Sequence, residues 1–122
     1  ALAASPRDAA THHAFGLTLT RLKRSDEALA ELRKAVELEP NRARYVYVYG
    51  VALHSGGLRD EAMRVLNEAL KSHPKDREIL TALVSFSRAA GNRKVALAYA
   101  ERLAVITPGD RNLVKLIEEL RR

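Results

Sequence analysis

The chain contains no cysteine. That excludes a disulfide scaffold, a thiolate zinc site, covalent haem attachment and a cysteine nucleophile within it. It also leaves the redox compartment open. Glycine and proline are scarce, at 6 and 4 of 122 residues, too few turn-formers for an all-β protein. No apolar run approaches the roughly 20 residues of a membrane helix. No basic start, apolar stretch and small-residue cleavage site follow one another, so no signal peptide is read. The first residue is Ala1, not Met, as expected after processing or in a piece of a longer protein.

The rest of the composition is that of an ordinary soluble domain. Hydrophobic residues make up 47% and charged residues 30%. A chain of 122 residues suits one domain and is long enough to bury a real core. The 21 Lys+Arg exceed the 15 Asp+Glu, for a net charge of +6. Such a balance favours acidic partners: nucleic acid, an anionic membrane or an acidic peptide. The distribution tempers this, because the bases are mixed with acids, as in Arg33-Lys34 between Glu31 and Glu37. The bland reading is a solvated surface. Most of the bases are Arg, which suits bidentate contact with carboxylate or phosphate.

The four prolines, Pro6, Pro40, Pro74 and Pro108, stand 34 residues apart. Random placement would produce that spacing about once in 40,000 tries, so an internal repeat is present. Other residues share the phase: Gly16 and Gly50; Ala28, Ala62 and Ala96; Leu32 and Leu66; Ala35 and Ala69; Asp8, Asp76 and Asp110. Between the prolines, apolar residues recur at helical spacing, as in Ala28, Leu29, Leu32, Ala35 and Val36. Each Pro stops a helix. Asp8, Asp76 and Asp110 stand where an N-cap would open the next one, and Ser25 before Asp26-Glu27 reads as another cap. Gly56-Gly57 and Gly91-Asn92 mark turns. Arg44–Tyr49 alternates like a strand, but Gly50 and Leu53 continue the helical phase, and a lone strand has nothing to pair with.

These signals predict helices near 9–22, 26–38, 43–55, 59–72, 77–90 and 93–106, and a last helix over about 110–121. The last carries Leu113, Val114, Leu116, Ile117 and Leu120 and reads as a terminal cap.

The 34-residue pattern resembles the tetratricopeptide repeat. The first repeat reads His12, Phe15-Gly16, Leu19, Ala28, Leu32 and Pro40. The second reads Val46, Tyr49-Gly50, Leu53, Ala62, Leu66 and Pro74. The third departs from the pattern: Leu80, Leu83-Val84, Ser87, Ala96, Ala100 and Pro108. There Leu103 replaces an Ala as Ala100 replaces a Leu, a volume-keeping swap. The resemblance covers residues 9 to 110. It implies an all-α, right-handed α-solenoid of three helix-turn-helix repeats, about 9–42, 43–76 and 77–110, with a capping helix, forming a single domain. Eight lead-in residues ending Pro6-Arg7-Asp8 are in phase with the end of a preceding repeat. The length is therefore expected to be a slice of a longer array.

The resemblance further implies a concave groove lined by the first helix of each repeat. Carried over by register, the candidates are His13, Leu17 and Arg21, then Arg44, Tyr47, Val51 and His54, then Thr81, Ser85 and Arg88, with Lys115 on the capping helix. Tyr and Arg are the residue types that dominate binding hot spots. The expectation is a peptide groove anchored by Tyr47, with arginines gripping carboxylates. The bland alternative is that these are solvent-facing positions of a spacer. The clamp with which some family members hold acidic chaperone tails would fall on His13, Leu17, Val48, Glu78 and Ala82. None of these fits it.

Catalysis has little support. No zinc-protease spacing and no phosphate-binding Gly loop is present. His12 falls at a core-facing position. His13 and His54, both facing the groove, make a poor metal site without a third donor. Glu31, Glu37, Glu39, Glu61 and Glu68 read as solvated i,i+4 partners of Arg and Lys. Nucleic acid is the runner-up partner, although Arg is not gathered into one stripe. Tyr47–His54 and Ala96–Leu103 also look like modules of bacterial multihaem cytochrome proteins, which would make the parent periplasmic, with its haem elsewhere. The expected function is a non-enzymatic protein-interaction module with no cofactor or metal, binding a protein or an acidic peptide, soluble in cytoplasm or periplasm. The competing class is a structural or oligomerisation scaffold, self-associating through its uncapped first end.

Overall fold

The computed structural model describes residues 8–122. The register shared by Pro6 and Arg7, and so the proposed end of a preceding repeat, lies outside the described residues. Within them are seven α-helices and no strand: α1 (Ala9–Arg21), α2 (Ser25–Leu38), α3 (Ala43–Ser55), α4 (Arg59–Ser72), α5 (Arg77–Ala89), α6 (Arg93–Ile106) and α7 (Arg111–Arg121). Every helix stands within a residue or so of its expected span. The strand-like Arg44–Tyr49 is helical. Winding it as helix brings Tyr45, Val46, Tyr49, Gly50 and Leu53 onto one buried face, and that burial outweighs the local β preference.

The repeat is visible in the backbone. After α1, Leu22 N donates to Thr18 O, Lys23 N to Thr20 O and Arg24 N to Leu19 O. The same three bonds recur from Gly56, Gly57 and Leu58, and again from Ala90, Gly91 and Asn92. Each turn holds one left-handed residue: Lys23 (φ 61°), Gly57 (φ 88°) and Gly91 (φ 77°). Asp8, Asp76 and Asp110 cap α1, α5 and α7 as expected, accepting from Ala10 and Thr11, from Ile79 and from Leu113. Asn92 caps α6 in the same way. Ser25 is not a cap. It is the first residue of α2, and Arg24 precedes it with no side-chain bond to the helix. The left-handed Lys23 places the helix start one residue earlier than the Ser-Asp-Glu pattern suggests.

The chain divides into two compact units, one ending at Val65 and the other running Leu66–Arg122, so the boundary falls within α4. In the first unit α1 packs on α2 and α2 on α3. Leu32, Tyr49, Leu53 and Ala62 form one buried cluster, and Ala9, Ala35 and Tyr45 another. In the second unit α5 packs on α6 and α6 on α7. Its core includes Leu66, Leu70, Ile79, Leu80, Leu83, Ala96, Ala100 and Leu103. The Tyr99 hydroxyl donates to Asn67 Oδ1 at 2.9 Å, tying α6 to α4. Leu113 and Ile117 bury the inner face of α7, whereas Val114 is exposed.

Candidate functional site

The first unit contains an apolar cleft of about 250 Å³ between α1, α2 and α3. Helical spacing builds it. Leu17 and Thr20 on α1 and Tyr47, Val51 and Ser55 on α3 form the walls, and Ala28, Leu29 and Leu32 of α2 lie between them. Gly16 lets α1 settle close to Leu32. Leu17 stays 40% exposed, so the cleft keeps an apolar lip in contact with water. The Arg44 guanidinium lies 5.5 Å from the Tyr47 ring centroid. This cation–π contact holds a positive charge at the mouth and orders the tyrosine.

Three of the expected residues, Leu17, Tyr47 and Val51, therefore line one cleft, with Arg44 beside it. Arg21 is exposed, its guanidinium donating to Thr18. His54 is half-buried. His13 does not simply face the groove. It stacks on buried Tyr45, ring centroids 4.5 Å apart, and its Nδ1 is buried without a hydrogen-bond partner among the described residues. Burial, and then the nearby Arg44 charge, hold its pKa below the ordinary histidine value. In the second unit Thr81, Ser85, Arg88 and Lys115 are exposed. Arg88 lines a hollow of about 340 Å³ with Gly91, Arg93, Glu119 and Leu120, where Arg93 donates to the Glu119 carbonyl oxygen.

Register reasoning missed the second-helix residues of the cleft, Ser25, Ala28, Leu29 and Leu32. Ala28 and Leu32 carry the repeat signature, which marks packing. One signal was available: the small Ala28 leaves room beside the large residues around it.

Glu31 corrects the reading of the helix-surface carboxylates. It is not a solvated i,i+4 partner, because its side chain is only 16% exposed. Its Oε1 lies 2.6 Å from His12 Nδ1 across the α1–α2 contact, and Lys34 Nζ stands 3.3 Å from Oε2. The hydrogen bond with His12, and then Lys34, hold its carboxyl below the usual range. Glu39, Glu61 and Glu68 pair at i,i+3, and only Glu37 takes the i,i+4 spacing. His12 is half-buried, as its core-facing register implied. Among the described residues no three metal-ligating side chains gather, and no helix is long and apolar enough to cross a membrane.

Comparison with known proteins bears on the repeat directly. The sequence profile of the tetratricopeptide repeat matches residues 19–85, more than half of the chain. No curated protein sequence matches it. Among solved structures the fold is similar to the Arabidopsis OM64 TPR domain, with TM-score 0.77, 16% identity and 93% of each chain covered. It is also similar to MamA from Desulfovibrio magneticus RS-1, with TM-score 0.80 and 22% identity over 95% of this chain and 65% of that one. A third is YrrB, described as a TPR protein with an unusual peptide-binding site, with TM-score 0.74 and 22% identity over 93% of this chain and 59% of that one. The chain thus spans less than two thirds of each of these two, 65% of that MamA chain and 59% of YrrB. At these identities the likeness concerns the fold, which is of the all-α solenoid class that the 34-residue register implied. By that profile match and its recurring turns, this chain belongs to the tetratricopeptide-repeat family.

Proposed function

We propose that the chain is a non-catalytic protein-interaction module that holds a peptide segment of a partner in the α1/α3 cleft. The fold is one that generally mediates protein–protein interaction, and a peptide-binding role is named for YrrB. The observation that carries the reading here is the convergence of Leu17, Tyr47 and Val51 on one solvent-open apolar cleft. Its volume of about 250 Å³ is below the roughly 300–1,000 Å³ of small-molecule pockets. That size suits one apolar side chain of a longer ligand. Arg44 and Arg21, in a chain of net charge +6, favour a ligand with carboxylates next to that side chain. Thr81, Ser85, Arg88 and Lys115 are assigned the same kind of contact within the second unit.

The test is Tyr47→Ala against a peptide selected on the wild-type chain. The substitution weakens binding by about 2 kcal/mol, the hot-spot scale, while the helical circular dichroism is unchanged. Unaltered affinity would remove the cleft as the binding site.

A further inference from the structure

The cleft of the first unit has a counterpart in the second, with different chemistry. Arg88, Arg93 and Glu119 stand two registers after Thr20, Ser25 and Val51 of the apolar cleft, and Lys115 two registers after Tyr47. Arg88, Arg93 and Glu119 line the hollow of about 340 Å³ where the end of α5, the start of α6 and the end of α7 meet. A place that is apolar between α1, α2 and α3 is thus charged between α5, α6 and α7.

The two guanidiniums are spare. Arg24, Arg33, Arg42, Arg64 and Arg121 each pair with a glutamate. Among the described residues Arg88 and Arg93 pair with none, although Glu119 lines the same hollow. Arg93 donates to the Glu119 carbonyl oxygen, which anchors its guanidinium and leaves its other N–H groups for a ligand. Arg88 is exposed beside it. The planar fork of arginine matches a carboxylate with two parallel bonds. Arg88, Arg93 and Glu119 together carry a single positive charge, which one carboxylate neutralises. A phosphate monoester carries about −1.5 to −2 at neutral pH and exceeds it. Neither arginine stands at a position of the chaperone-tail clamp.

We propose that the hollow of α5, α6 and α7 binds a single carboxylate through Arg88 and Arg93, with Glu119 setting its selectivity against doubly charged phosphate. That the carboxylate belongs to an acidic side chain of a partner segment rests on the interaction role of the chain; the anion site itself does not.

The test titrates the full chain with sodium acetate at constant ionic strength, so that screening is fixed, and follows the arginine Nε–Hε resonances by NMR. Those of Arg88 and Arg93 should move together and saturate, while that of exposed Arg111 drifts without saturating. Arg88→Gln should weaken the acetate titration seen at Arg93 by about threefold or more, the scale of an exposed charge contact. Glu119→Gln removes one negative charge, whose repulsion a doubly charged ion feels twice. Just above neutral pH it should therefore tighten inorganic phosphate by about the square of the factor by which it tightens acetate. Shifts that never saturate, an Arg93 titration unmoved by Arg88→Gln, or equal gains for the two ions from Glu119→Gln overturn the proposal. The titration needs no peptide. If Tyr47→Ala leaves peptide affinity unaltered while acetate still saturates here, the apolar cleft loses its role and the anion site keeps its own.

Discussion

A Cβ added to Gly16 would stand 2.7 Å from both Cγ and Cδ2 of Leu32, and 3.3 Å from the Ala28 carbonyl oxygen. Leu32 is 1% exposed and is packed between α1 and α3. Two effects compete in Gly16→Ala. Helix propensity favours Ala by about 1 kcal/mol, whereas overpacking a filled core costs about 1–3 kcal/mol. The contact is with Leu32 Cγ, the branch carbon itself, and with backbone, so overpacking wins. Gly16→Ala is expected to destabilise the chain by about 1–2 kcal/mol in denaturant unfolding. In a Leu32→Ala background, where the obstruction is gone, the same change should be neutral or stabilising. Equal losses in both backgrounds would place the cost elsewhere.

Lys23 occupies the left-handed position that Gly57 and Gly91 occupy in the next two turns. A side chain there costs roughly 1–2 kcal/mol, and the extra unfolded-state freedom of glycine returns about 0.4–1 kcal/mol of any gain. Lys23→Gly should therefore stabilise by about 0.5–1 kcal/mol. The reverse change, Gly57→Lys, should cost a similar amount. No atom lies within 4 Å of a Cβ at Gly57, so its cost contains no clash, only backbone strain less the unfolded-state freedom that glycine loses. A destabilised Lys23→Gly variant would mean that the lysine makes a contact worth more than the strain.

How much was legible follows from what each signal measures. Proline, aspartate and glycine act on the backbone next to them, so Pro40, Asp76 and Gly91 set helix ends that the structure reproduces. Lys23 was not legible as a left-handed residue, because nothing about lysine asks for that conformation; only the 34-residue register with Gly57 does. The shift of the α2 cap from Ser25 to Arg24 follows from the same turn. The His12–Glu31 pair joins residues 19 apart, and its spacing has meaning only once α1 and α2 are packed. In the cleft, Leu17, Tyr47 and Val51 were reachable by register, since they look out from first helices. Ala28 and Leu32 were not, because a residue that packs two helices gives no sign that one side of it is open.

Ser87 takes the register position of Leu19 and Leu53, and all are at most 3% exposed. Its Oγ is buried with no hydrogen-bond partner among the described residues. A buried hydroxyl left unpaired costs about 1–3 kcal/mol, while removing one oxygen loses little packing. Ser87→Ala should therefore raise stability by about 1 kcal/mol, read as a higher denaturant midpoint at constant m-value. A loss of stability would show that the hydroxyl is satisfied in solution.

His13 makes the first unit sensitive to mild acid. Its imidazole is stacked on Tyr45, with Arg42 5.1 Å from the same ring and the Arg44 charge nearby. Burial first, and then Arg44, lower its pKa below 6.5. Above pH 6.5 the folded and unfolded chains both carry it neutral, and its contribution is fully present. As pH falls from 6.5 towards the lowered folded value, the unfolded chain takes up the proton first, and stability is lost. Glu31 acts at lower pH. Its carboxyl, lowered by the His12 hydrogen bond and then by Lys34, contributes above the ordinary 4.5 and is lost as pH falls through the folded value. An NMR titration should place the His13 midpoint below 6.5. Arg44→Gln should raise that midpoint without bringing it to 6.5, because burial is the larger cause. His13→Phe keeps an aromatic ring against Tyr45 and removes the proton, so it should flatten the stability profile just below pH 6.5 and leave the Glu31 loss in place. A wild-type midpoint at or above 6.5 would show that the stacked imidazole is better solvated than its burial implies.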